Sequence, residues 1–126
     1  MRRIALLALL VLAGCTKFGN PLIGTEWTYG GSSDSQIVLA FIDATQVAVY
    51  EADSNMNVRY GRYYTGAYSV SGSSVTFDLT LKGFSMNTLY LDGEFNDYSM
   101  SVREQWVLES GVQIGQIQTN TYIKKK

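Results

Sequence analysis

Arg62 stands between two phenols at alternate positions, Tyr60 and Tyr64, in a tyrosine-rich run from Val58 to Val70. Alternate residues of a strand share a face. A regular strand therefore gathers Tyr60, Arg62, Tyr64, Gly66, Tyr68 and Val70 on one side, and the turn pattern after Val70 makes Tyr68 and Val70 point inward. Arg62 is then inside the sheet structure or at its rim, where a guanidinium needs a counter-charge. That partner is either a carboxylate of the protein or an anionic ligand such as a fatty acid or a sugar acid. Tyr60, Arg62, Tyr64 and Tyr68 are thus the candidate ligand-binding set. A bulge at Gly61 or Gly66 gives the opposite reading: the face flips, Arg62 enters water, and the tyrosines are ordinary strand formers.

The chain offers little else for chemistry. It has no histidine, the commonest general base near neutral pH and the commonest metal ligand, and a single cysteine, Cys15. No intramolecular disulfide is possible, and no Cys/His zinc constellation. Asp92 and Glu94 share a strand face, but alternation with Leu91 and Phe95 sets them on the solvated side. Asp53-Ser54-Asn55-Met56-Asn57 copies the first half of a calcium loop, with oxygen ligands at alternate positions. Val58 stands where the sharp turn needs glycine and Tyr64 where a bidentate glutamate belongs, so a polar hairpin loop is expected and no metal. The expectation is a protein that is not an enzyme and uses no cofactor.

Cys15 closes an apolar run. Arg2 and Arg3 precede Ile4 to Ala13, about ten residues, where roughly twenty are needed to span a bilayer. Leu12-Ala13-Gly14-Cys15 resembles the lipobox of a bacterial lipoprotein signal peptide. The resemblance implies that residues 1–14 are an export leader cut before Cys15, that the Cys15 sulfur carries a diacylglyceryl group and its freed amine an acyl chain, and that 15–21 is a lipidated tether. Two or three acyl chains hold a protein at a membrane effectively permanently. A lipidated sulfur also accounts for the odd cysteine. Thr16, rather than Asp, follows Cys15, which in the same resemblance points to the outer membrane, on its periplasmic or its surface side.

Without residues 1–14 the basic count falls from 10 to 8 against 11 acids, a net charge of about −3. Three of those eight are Lys124, Lys125 and Lys126, so the body of the domain is acidic, which argues against nucleic acid as a partner. The lysines either touch anionic lipid or keep the last strand soluble.

The mature chain of about 110 residues is one domain, and its pattern from residue 22 onward is all-β. Strands are expected at Gly24–Tyr29, Gln36–Ile42, Gln46–Glu51 and Val58–Val70, with a loop at Gly30–Ser35 and a hairpin turn at Asp43–Thr45. Val75, Phe77, Leu79 and Leu81 alternate with polar residues in the cleanest amphipathic strand. Leu89, Leu91 and Phe95 alternate with Tyr90, Asp92 and Glu94 in the next, with Gly93 as a bulge. Residues 98–102, 105–108 and 118–124 complete the set. Ile37 to Ile42 is apolar on both faces, which calls for a cover on its outer side. About eight short strands with short links predict an antiparallel up-and-down meander that closes into a barrel, removing its edges. An open β-sandwich is the alternative.

Leu22-Ile23-Gly24-Thr25-Glu26-Trp27, then Phe41 ahead of a hairpin, then Gly66-Ala67-Tyr68-Ser69-Val70-Ser71-Gly72 resemble the small lipocalin-like lipoproteins of Bacteroidetes. The resemblance covers most of 22–126 and implies a lipocalin-like barrel; the segment from Gln113 to Gln118 departs from it. Small barrels hold either side chains or one small ligand. The expected function is accordingly that of a non-enzymatic, membrane-tethered envelope lipoprotein that binds a small amphipathic ligand in or at the barrel mouth. The alternative is a protein-interaction or inhibitor module whose interior is filled by Trp27, Phe41, Phe77, Phe95 and Trp106.

Overall fold

A computed structural model describes residues 20–126 apart from 33–34, 84–85, 109 and 111. The leader, Cys15 and most of the tether lie outside the described residues. Eight strands follow one another: β1 (Glu26–Ser32), β2 (Ser35–Phe41), β3 (Gln46–Ala52), β4 (Val58–Ser71), β5 (Ser74–Leu81), β6 (Met86–Phe95), β7 (Ser99–Leu108) and β8 (Gln113–Lys124). Each pairs antiparallel with the next, and β8 returns to β1 through Trp27 opposite Lys124 and Thr28 opposite Ile123, closing the barrel. The closing seam is short: beyond those two pairs it continues only through the backbone bonds of Glu26 with Lys125 and Lys126, at one end of the barrel.

Up-and-down order gives the barrel two ends. The turns at 43–45, 72–73 and 96–98, together with Asn20 and Lys124–Lys126, define the lower end; the connections after β1, β3, β5 and β7 define the upper one. The lower half is packed. Leu22, Trp27, Phe41, Tyr68, Phe77 and Met100 are buried there in one cluster, with Phe95 edge-on to Trp27 at 6.5 Å and Tyr68 edge-on to Phe41 at 4.8 Å. Leu22 plugs this end. Its carbonyl accepts from Thr25 Oγ1 at 2.6 Å, and Thr25 Oγ1 in turn accepts from Trp27 Nε1 at 2.8 Å. Burying a leucine side chain contributes about 2 kcal/mol, so the segment leading in from the tether is part of the core.

The alternation in β5 is as expected: Val75, Phe77, Leu79 and Leu81 face in. In β6 it is reversed. Tyr90 is buried against Phe77, while Leu89 and Leu91 are half-exposed. The β6–β7 register shifts between Tyr90 and Asp92, so the bulge falls two residues before Gly93. A period of two counted back from Phe95 through that bulge is out of phase. Trp106, near the upper end of β7, is 45% exposed and so does not fill the interior; opposite it β8 is irregular, with residues 115–117 facing the single Gln105. The expected strands at 98–102 and 105–108 are one, β7, and the glutamine-rich segment is the first half of β8. Gly30 to Ser32, expected as loop, continues β1 past a shift in its pairing with β2.

The outer face of β2 and β3 carries its own apolar cluster, Val38, Tyr50 and Ala52, with Ala40 and Met56 packed on it and Tyr63 stacked on Tyr50 at 5.4 Å. Met56 reaches it from the β3–β4 loop. Gly66 marks a different constraint: a Cβ there would lie 2.2 Å from the Asp78 carbonyl oxygen, so β4 and β5 approach as closely as they do only because that side chain is absent.

Candidate functional site

β4 runs from the upper end to the lower. Its irregularity sits at its start, where Tyr60 (φ 58°) and Gly61 (φ 66°) take left-handed backbone and four residues, Arg59 to Arg62, face the single Glu51 of β3. From Arg62 onward the strand is regular, and Arg62, Tyr64, Gly66, Tyr68 and Val70 are the more buried set. The bulge at Gly61 therefore removes Tyr60 from the inward face and leaves Arg62 on it.

Arg62 Nη1 lies 3.6 Å from Glu51 Oε1, and Ser35 Oγ donates to Glu51 Oε2 at 2.7 Å. Glu51 faces in because Val47 and Val49, two and four residues before it, belong to the core. The charge partner that Arg62 requires is thus a carboxylate of the protein. Tyr60 is 64% exposed at the rim, yet its ring is still 5.5 Å from the Arg62 guanidinium and 4.8 Å from that of Arg59, whose Nη2 donates to the Tyr60 hydroxyl at 2.6 Å. Tyr60 and Arg62 are brought together, and Tyr64 follows Arg62 on the same inward parity, packed against the core. Tyr68 is separated from them, at the lower end: its hydroxyl donates to the Asp43 carbonyl and accepts from Asn20 Nδ2 at 3.1 Å, tying the tether side to the β2–β3 turn.

The most unusual group is absent from the candidates named from the sequence. Glu104, on β7, points into the barrel and is 6% exposed. Tyr122 donates its hydroxyl hydrogen to Glu104 Oε2 at 2.7 Å, and Asn120 Nδ2 donates to Oε1 at 3.0 Å. The Tyr90 hydroxyl is 3.4 Å from that of Tyr122. Burial pushes the Glu104 carboxyl up from its ordinary range, against the two hydrogen bonds that stabilise its charge. Burial and the neighbouring carboxylate push the Tyr90 and Tyr122 phenols up as well, so both stay protonated as donors. Glu104 sits in an alternating run, Met100, Val102, Glu104, whose first two members are core. That was the available signal: a charged residue on the inward parity of a strand.

Tyr29 joins the two polar groups. Its ring lies 5.3 Å from Tyr122, and it pairs with Ile37, which pairs with Glu51, in a row across three strands. It is 37% exposed, so water reaches the inner wall at this level.

The remaining sequence candidates are on the outside. Asp92 is held by Arg103 through two hydrogen bonds, 2.7 and 2.6 Å, which keep its carboxyl below the usual range. Glu94 accepts from Ser74. In the 53–57 loop Asp53 Oδ1 accepts from the backbone N–H of Asn55 and Asn57 at 2.9 and 3.0 Å, so the carboxylate shapes the turn. Among the described residues no three His, Cys, Asp or Glu side chains gather as a metal site.

No protein-family model matches this sequence, and no curated protein matches it. What the fold and the site define is an eight-stranded up-and-down β-barrel whose lower half is packed, with Ser35–Glu51–Arg62 on its upper inner wall and Asn120–Glu104–Tyr122–Tyr90 buried in the interior below.

Proposed function

We propose that this protein is a lipid-anchored envelope lipoprotein, without enzymatic activity, whose barrel binds a small amphipathic ligand at its upper mouth. The observation that carries the ligand reading is the chemistry of the inner wall. Glu51, Arg62 and Tyr64 face inward near the mouth, and Tyr90, Glu104 and Tyr122 carry polar atoms into the interior below them, with Tyr29 against Tyr122. Burying carboxylates costs stability, and an interior that only had to be filled is more stable with apolar residues of similar volume. Polar groups retained on an inner wall, with Tyr29 and Tyr64 half-exposed beside them, suit a ligand with a hydrogen-bonding head and an apolar body.

Native mass spectrometry of the domain spanning residues 16–126 tests this. Co-purifying lipid-like mass supports it, and Arg62→Ala, Tyr64→Ala and Glu104→Ala should each weaken that ligand's retention. If the domain carries no adduct and screened fatty acids, alkyl amines and sugar acids all fail to bind, the ligand reading is wrong. The anchor has a separate test: Cys15→Ser should abolish lipid labelling and leave the precursor uncut.

A second reading, a protein-interaction module, is favoured by one observation. Trp106, Leu108, Val112 and Ile117 are all exposed on the β7–β8 hairpin. Loss of a cross-linked partner on Trp106→Ser, with no ligand in the barrel, would establish it.

A further inference from the structure

The lower end of the barrel holds features that neither ligand nor partner reading uses. Lys124, Lys125 and Lys126 continue β8 and are held in place: Lys125 N donates to the Glu26 carbonyl at 2.7 Å and Glu26 N to the Lys126 carbonyl at 3.0 Å. The Lys124 ammonium lies 5.9 Å from the Trp27 ring. Beside them a groove of about 320 Å³ is lined by Asp97, Tyr98, Ile123 and the three lysines. Tyr98 is 78% exposed, and Ile23, Ile42 and Ile123 are exposed at the same end.

We infer that this end docks on an anionic phospholipid surface, with the lysines on the phosphates and Tyr98 and Ile123 in the headgroup layer. Charge complementarity selects the occupant. The domain is acidic overall, yet this groove sets three ammonium groups against one carboxylate, Asp97. Of the other acids at this end, Asp43 is turned onto the backbone N–H of Thr45 and Gln46, Glu94 onto Ser74, and Glu26, whose backbone pairs with Lys125 and Lys126, is half-buried outside the groove lining. Tyrosine and lysine side chains suit the interface because each has an apolar body and a polar tip. A basic patch beside an acyl anchor adds to membrane affinity. The chain also enters the barrel here, at Asn20. The orientation that follows, upper mouth away from the bilayer, rests on the lipid-anchored reading; the docking needs no anchor.

Residues 16–126 contain all eight strands and the plug at Leu22, so the unlipidated domain is the test protein. It is sedimented with vesicles of equimolar phosphatidylglycerol and phosphatidylcholine, and with phosphatidylcholine alone. Binding should favour the anionic vesicles by at least about ten-fold and fall with added salt. Replacing all three lysines with glutamine should lower it on the order of a hundred-fold, about five-fold for each lysine. Tyr98→Ser should lower it several-fold while leaving the circular dichroism spectrum unchanged. Trp106, at the upper end, should keep its emission wavelength on binding. Equal affinity for both vesicles, no sedimentation, or an unaffected triple variant overturns the proposal, and a blue shift of Trp106 overturns its orientation. A failure here leaves the native mass result and the ligand reading untouched.

Discussion

Tyr122 donates its hydroxyl hydrogen to Glu104 at 2.7 Å inside the barrel, on two strands that are neighbours in the sheet. The pair places a carboxylate where its sequence neighbours Met100 and Val102 are core, and this has a consequence for stability.

Glu104 is held above its ordinary value when folded. Its proton leaves the unfolded chain first as pH rises, so the folded state binds more protons in that window and stability falls with rising pH. The favourable contribution is complete below the unfolded value, near 4.3, and is lost as pH rises through the folded one. Glu104→Gln should therefore match the wild type in urea unfolding at pH 4 and exceed it at pH 8, by on the order of 1 kcal/mol. A variant equally destabilised at both pH values would show that the charged form is not the costly one.

The Arg62–Glu51 pair is near the mouth and its closest approach is 3.6 Å. A double-mutant cycle with Arg62→Met and Glu51→Leu should give a coupling of about 1 kcal/mol or less. A coupling several times larger would mark the pair as a structural lock. It would then have no role at a ligand site.

Tyr68→Phe removes the bond to the Asp43 carbonyl and the acceptor for Asn20. The expected cost is about 1–2 kcal/mol. Amide exchange should quicken at Leu22, Thr25 and Gln46, while ligand affinity stays as it was, because Tyr68 is at the packed end. Loss of ligand binding would return Tyr68 to the site.

Gly66 and Gly61 separate two reasons for glycine on one strand. Gly66→Ala forces a Cβ against the Asp78 carbonyl at 2.2 Å and should cost about 3 kcal/mol. Gly61→Ala meets open space and pays only for left-handed backbone, about 1 kcal/mol. Thermal unfolding of both variants checks the order, and a reversal would place the close contact elsewhere.

Strand existence was legible wherever the two-residue period runs unbroken, as in β5, and turn residues marked the hairpins at Asp43–Thr45 and Gly72–Ser73. Bulges were not legible. Between Tyr90 and Asp92 one irregular step exchanges the two faces of β6, so Tyr90 faces in; in β8 the residues 115–117 stand opposite the single Gln105. The candidate site suffered the same way. The irregularity at Tyr60–Gly61 ejected Tyr60, and the descent of β4 carried Tyr68 to the far end.

Local composition and alternation by themselves determined that the domain is all-β and that its strands are antiparallel neighbours in a meander able to close, because these follow from short-range stereochemistry; whether Arg62 faced in or entered water they left open. The choice of Glu51 as the counter-charge of Arg62 and the joining of Glu104 with Asn120, Tyr122 and Tyr90 were decided only by the tertiary structure. They depend on the register between strands, and register is a property of two segments that no single segment encodes.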